Sequence, residues 1–172
     1  MPPRRCTRRS GFHSNLDGGR ASAHSAMMGR ILSLIFLCSL GCFVSSLTLA
    51  AGSPADAIRE VIDAQAMAWN RGDIDGFMRG YARSKTTTFV SGDEVTRGWQ
   101  TVRDRYAKKY DSRAKMGRLT FSGLTIMPLC DDAALVLGSW SLERKNDRPH
   151  GKFTLLFRRL PEGWRIVLDH TS

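Results

Sequence analysis

The strongest constraint on the fold is a run of four strand-like segments at the C-terminal end, separated by short turns. They span roughly 118–128, 133–144, 149–159 and 164–171, with turn residues at Asp131-Asp132, Asn146-Asp147 and Pro161-Glu162-Gly163. Connections this short produce an antiparallel meander rather than a crossover sheet. In the first segment Leu119 and Phe121 share one parity, and Leu124 and Ile126 the other. A phase switch at Ser122-Gly123 is what a β-bulge produces, and a bulge bends the sheet. In the second segment Val136, Trp140 and Leu142 point one way, while Leu135 and Leu137 point the other with Ser139 and Ser141. The third alternates Phe153, Leu155 and Phe157 with Thr154 and Leu156. A sheet with one wet face would alternate apolar and polar residues cleanly. Both faces of this one need covering, one by helices and the other by a partner chain or the sheet's own curl.

The helices precede the meander. Ser53-Pro54-Ala55-Asp56 reads as a helix start, with a Ser cap, Pro in the first turn and an acid three residues on. Ile58, Val61, Ile62, Gln65 and Trp69 follow with helical spacing, and Gly72 ends the helix. Asp73 caps a second, short helix carrying Ile74, Phe77, Met78 and Tyr81, which Gly76 and Gly80 weaken. A third helix runs from about Gly98 to Tyr110, with Trp99, Val102, Tyr106 and Tyr110 on one side. Between the last two, Thr86–Ser91 is β-branched and turns at Gly92-Asp93 toward Val95. The class is α+β: a bent antiparallel sheet wrapped around N-terminal helices.

Ahead of this domain, Ile31–Ala51 is a run of 21 residues without a charge, preceded by Arg30 and thinning toward Ser, Thr and Ala. Basic, then apolar, then small is the order of a secretory signal, and Thr48-Leu49-Ala50 supplies the small residues for cleavage before Ala51. A run of this length also suits a retained membrane anchor. Ser39-Leu40-Gly41-Cys42 resembles a lipoprotein box, with Ser in place of the usual aliphatic residue. Residues 1–26 are Arg-, Ser- and Gly-rich and read either as a transit-type leader or as lying ahead of a start at Met27 or Met28. The division is therefore 1–26 leader, 27–50 signal peptide and 51–172 folded domain, exported to the periplasm or the exterior. Cleavage would leave Cys130 as the one cysteine and exclude an intrachain disulfide.

The net charge of +10 invites a nucleic-acid reading, yet residues 1–50 carry six Arg against Asp17 alone, which is half of the excess. The rest of the chain interleaves its acids and bases, so nucleic acid is not an expected partner. Only His150 and His170 remain in the domain, and without Cys pairs or closely spaced His neither a metal nor another cofactor is expected.

The element order resembles the nuclear transport factor 2-like superfamily, which includes the ketosteroid-isomerase-like and SnoaL-like cone folds. Ala68-Trp69-Asn70-Arg71-Gly72-Asp73 is similar to that group's first-helix ending, and Thr96-Arg97-Gly98 to the opening of its third helix. Trp164-Arg165-Ile166-Val167-Leu168-Asp169-His170-Thr171-Ser172 is similar to its closing strand, W-x-I-V-x-x-H-x-S. The same ending occurs in the calcium/calmodulin-dependent kinase II association domain and its small bacterial relatives. The resemblance implies a conical pocket between sheet and helices, with Tyr106 at an aromatic pocket position. Ser139, Thr154 and Thr171 fall where the kinase association domain carries arginines, so anion binding by that cluster is not implied here.

The candidate ligand pocket is thus Tyr106, Ser139, Trp140 and Thr154, and the candidate catalytic pair is Asp169 and His170. Proton transfer in an apolar cavity needs a carboxylate or an imidazole there. Adjacent strand residues point to opposite faces, so only one of this pair enters a pocket on an unbroken strand. Three functions fit. The first is binding of a small, mostly apolar molecule without turnover. The second is a cofactor-independent isomerase, dehydratase or hydrolase-like enzyme on such a molecule. The third is a structural homodimer. Two-sided apolar strands also make a homodimer the expected assembly, with membrane contact only through an uncleaved leader.

Overall fold

The computed structural model describes residues 52–172. The leader, its cleavage site and the alternative anchor lie outside the described residues. Helix α1 (Pro54–Arg71) opens on a reciprocal cap: the Ser53 hydroxyl accepts from the Asp56 N–H, and the Asp56 carboxylate from the Ser53 N–H. Gly72 closes it with φ 83°, a left-handed turn that favours glycine. Ile58, Ile62, Gln65, Ala68 and Trp69 form its buried stripe.

The end of α1 is tied to the first long strand. The Asn70 amide donates to the Leu119 carbonyl at 3.0 Å and accepts from the Leu119 N–H at 2.7 Å. Trp69 Nε1 donates to the Met116 carbonyl at 3.1 Å, and Arg113 donates to the carbonyls of both Trp69 and Asn70. The Trp-Asn pair ending α1 is therefore a docking device. Helix α2 (Ile74–Met78) is shorter than its apolar spacing implies. Tyr81 lies beyond it, in a parallel bridge to Ile166. After β1 (Thr88–Ser91) and β2 (Glu94–Arg97), α3 (Trp99–Lys109) packs through the fully buried Val102. A one-turn helix, α4 (Arg113–Met116), was not legible in the sequence, because four residues carry no period.

The meander follows as β3 (Arg118–Cys130), β4 (Ala133–Glu143), β5 (His150–Leu160) and β6 (Gly163–Thr171). All six strands form one bent sheet in the order β2-β1-β6-β5-β4-β3. One pairing departs from the antiparallel expectation. Strand β1 runs parallel to β6, from Thr88 opposite Leu168 to Ser91 opposite Thr171. No tight turn joins these two strands, so nothing in the connection enforces an antiparallel pair. Cys130, the last residue of β3, is disulfide-bonded. Among the described residues no helix is long and apolar enough to cross a membrane.

Three register slips occur in the sheet, one of them at the end of β3 between Pro128 and Cys130, and the other two shape the inner face. In β3 the register slips between Ser122 and Thr125, and Gly123 takes φ 60°. Phe121 then pairs with Trp140, and Ile126 with Val136, so both apolar sets of β3 reach one face. The second bulge is in β6, where Phe157 pairs with Ile166 but Leu156 with Leu168, leaving Val167 as the extra residue. The helices cover the inner face, where Val136, Leu142, Phe153, Leu155, Phe157 and Ile166 are buried. The outer face keeps an apolar stripe, Leu135–Leu156–Leu168, across three adjacent strands, with Leu137 40% exposed beside it.

Gly138 is closely packed on the inner face. A Cβ there would stand 2.4 Å from Phe153 Cζ and 2.9 Å from Leu124 Cδ2. Gly138→Ala is predicted to cost about 1–3 kcal/mol through overpacking, read from urea unfolding. Unchanged stability would show that the sheet is more open there than described.

Candidate functional site

Between the inner face and the helices lies a cavity of about 120 Å³. That is room for about four waters at ~30 Å³ each, a little less than the ~150 Å³ that holds benzene. Helix α1 contributes Gln65 and Trp69, α3 contributes Arg105, Tyr106 and Lys109, and the sheet contributes Phe121, Trp140, Phe153 and Leu155. Tyr106 sits among rings: its centroid is 5.2 Å from Phe77, 5.5 Å from Phe89, 6.1 Å from Tyr110 and 6.2 Å from Trp69. Lys109 and Ser172, both exposed, mark the side open to solvent.

One end of this apolar space is polar. Asp169 lines it and is only 4% exposed, between Leu155 on β5 and Phe89 on β1. Tyr81 donates to Asp169 Oδ2 and Thr171 to Oδ1, each at 2.6 Å. That length is typical of a hydroxyl bonded to an ionised carboxylate. The Tyr106 hydroxyl lies 3.5 Å from that of Tyr81. Burial pushes the Asp169 carboxyl above its ordinary range, against the opposing pull of the Thr171 and Tyr81 hydrogen bonds. Burial, then the Asp169 charge, pushes both Tyr81 and Tyr106 well above the usual tyrosine range, so both keep their protons.

The β6 bulge decides which residues reach this end. Trp164 and Ile166 face inward, and beyond the extra residue Val167 the inward positions become Asp169 and Thr171. His170 is exposed on the other face, opposite Thr154. The pair Asp169 and His170 is thus divided, with Asp169 alone at the cavity. Of the four residues expected to line a pocket, Tyr106 and Trp140 do so. Ser139 and Thr154 do not: they alternate with the inward Trp140, Phe153 and Leu155, and Ser139 accepts instead from Lys152 at 2.8 Å on the outer side. Tyr81, Thr171, Arg105 and Lys109 reach the cavity without having been singled out as site residues. Tyr81 had a signal, a phenol at the end of an otherwise apolar stripe. Gln65, the one polar member of the α1 stripe, is used structurally and donates to the Phe77 carbonyl at 3.0 Å. Among the described residues no group of three or more metal-type side chains occurs.

Residues 58–172 match the family model of the SnoaL-like domain. A search of curated proteins found no match. Among solved structures, an NTF-2 like protein of unknown function from Shewanella oneidensis MR-1 is similar, with 36% identity and a TM-score of 0.67. The similarity covers 70% of this chain and 99% of that one. A putative calcium/calmodulin-dependent protein kinase type II association domain from Thiobacillus denitrificans has 21% identity and a TM-score of 0.58, over 66% of this chain and 92% of its own. Its counterpart from Xanthomonas campestris has 17% identity and a TM-score of 0.56, over 72% and 90%. These last two share the fold.

The polar end has a consequence for stability. A carboxyl raised in the folded state binds its proton more tightly there than in the unfolded chain. Stability therefore falls as pH rises from the ordinary carboxylate value through the raised one, and is level above it. Asp75, Glu94 and Asp111, held low by their basic partners, pull the other way, but all three are fully exposed. The difference in Tm between wild type and Asp169→Asn isolates the buried group. The variant is predicted to gain on the wild type as pH rises from 3.5 toward 7. A gain on acidification instead would mean that Asp169 is held ionised by a net favourable environment.

Proposed function

The chain belongs to the SnoaL-like domain family, and we propose that its cone binds one small molecule with an apolar body and a polar end. The observation that carries this reading is the cavity itself. A concave, mostly apolar space walled by aromatic rings, with a buried carboxylate at one end, has the usual form of a small-molecule site. The volume limits the ligand to about six non-hydrogen atoms, unless part of it projects into solvent. At the ceiling of ~1.5 kcal/mol per atom such a ligand gains about 9 kcal/mol, so dissociation constants no tighter than roughly 0.3 μM are expected.

A second reading is supported by Asp169 alone. A carboxylate with a raised pKa inside an apolar cavity is the equipment of a general acid or base, which suits a cofactor-independent isomerase, dehydratase or hydrolase-like reaction. Binding without turnover comes first, because both Asp169 oxygens already accept hydrogen bonds and the ionisable group that meets them most closely, the Tyr81 phenol, keeps its proton.

The apolar outer stripe supports a homodimer formed sheet to sheet, and the uncharged run Ile31–Ala51 supports export. Both belong to this proposal. Light scattering at micromolar concentration should give the mass of two chains, and Leu156→Lys, at the centre of the stripe, should give one. A monomeric wild type would contradict the dimer.

The binding reading is tested by a calorimetric screen of small molecules with apolar bodies of about six non-hydrogen atoms. At least one should bind, and Leu155→Trp, which fills the cavity from the sheet side, should abolish that binding while the protein still melts cooperatively. A ligand that binds the filled variant equally well sits elsewhere and would overturn the reading.

A further inference from the structure

The cavity's polar end has a definite hydrogen-bond polarity and an unbalanced charge, and together they name the class of ligand. We infer that the cone selects a small organic cation: a protonated amine carrying a compact apolar group, with its N–H bonds directed at Asp169, Thr171 and Tyr106. This rests on the binding reading above and adds the chemistry of the ligand.

The charge comes first. Asp169 is 4% exposed, and among the described residues no basic side chain pairs with it. The two cations that line the same cavity are engaged elsewhere. Arg105 pairs with Glu94 and lies 5.3 Å from the centre of the Phe89 ring, and the Lys109 ammonium lies 5.5 Å from the centre of Tyr110. His170, the neighbour in sequence, is exposed on the opposite face and acts on Asp169 only through space, as the smallest of the influences on its carboxyl. A buried charge is ordinarily paired, and a pairing group not found among the described residues is one that a cationic ligand brings.

The protons point the same way. Tyr81 has one hydroxyl proton and gives it to Asp169 Oδ2; Thr171 gives its own to Oδ1. With Tyr81 committed, a bond across the 3.5 Å gap to Tyr106 requires Tyr106 to donate. Every hydroxyl proton of the network is then turned toward Asp169. What remains for a ligand is lone pairs, on Asp169, Thr171 and Tyr106. At this end of the cavity a carbonyl or a carboxylate would meet lone pairs and the Asp169 charge, whereas an ammonium supplies three donors and the missing charge.

The walls suit the same choice. The rings of Trp69, Phe77, Phe89 and Tyr110 surround Tyr106, and aromatic faces attract cations. The contact of Lys109 with Tyr110 is an instance within this chain.

Three ligands with one branched apolar body decide the matter: 3-methylbutylammonium, 3-methylbutan-1-ol and 3-methylbutanoate, titrated into the full chain by calorimetry at neutral pH. The ammonium is expected to bind at least tenfold more tightly than the alcohol, and the carboxylate most weakly. Asp169→Asn should weaken the ammonium at least tenfold and leave the alcohol within about twofold. An ammonium no tighter than the alcohol, or a carboxylate tightest of the three, overturns this inference and leaves the binding reading standing. Failure of all three to bind also overturns this inference, while the binding reading falls only if the wider screen finds no ligand that Leu155→Trp excludes. The comparison on the wild-type chain is decisive even if the variant does not fold.

Discussion

One extra residue in β6 governs the character of the cone. Were Val167 paired like its neighbours, the inward positions after Trp164 and Ile166 would be Leu168 and His170, and the cavity would end in an aliphatic chain and an imidazole. Because the register slips there, Leu168 joins the outer stripe with Leu135 and Leu156, and Asp169 and Thr171 turn inward. The pairings on both sides hold this arrangement in place. Phe157 fixes Ile166 on one side of the slip, and Leu168 through Thr171 are fixed by β5 and by the parallel strand β1.

The placement of a carboxylate between Leu155 and Phe89 opposes stability, and the neighbouring hydroxyls only partly offset it. Hydrogen bonds to a charged group contribute roughly 1.5–3 kcal/mol each, while the penalty for burying an ion is several kcal/mol after relaxation. The direction of the Asp169 shift says that burial wins. Stability comes from elsewhere: the capped helix α1, its docking through Trp69 and Asn70, and the apolar inner face. The scaffold tolerates a costly group at a position where nothing in the packing requires one. That is the pattern of a site rather than a core.

Much of the fold could be read from residue order, because each device has a local signature. The cap at Ser53, the stop at Gly72, the bulge at Gly123 and the short turns of the meander all use residue types chosen for their backbone conformation. The site was less legible. The β6 bulge contains no Gly or Pro, and its sequence alternates Trp164, Ile166 and Leu168 without a break, so it reads as a regular strand. That alternation hides the inward turn of Asp169. The resemblance puts Ser139 and Thr154 at pocket positions, although the parity of the strand separates Ser139 from the inward Trp140. Tyr81 reaches Asp169 only because the chain leaves α2 early and bridges to Ile166, a contact 85 positions away in sequence that no local pattern records.

The central claim is that Asp169 lies inside the cone, and its own titration tests this most directly. Carboxyl carbon NMR of the ligand-free protein, followed from acid to neutral pH, reports the protonation of each aspartate separately. The account predicts a midpoint for Asp169 above the ordinary carboxylate range, accompanied by a shift in the ring signals of Tyr81. A midpoint at or below that range, with no response from Tyr81, would place Asp169 in water beside His170 and contradict the account.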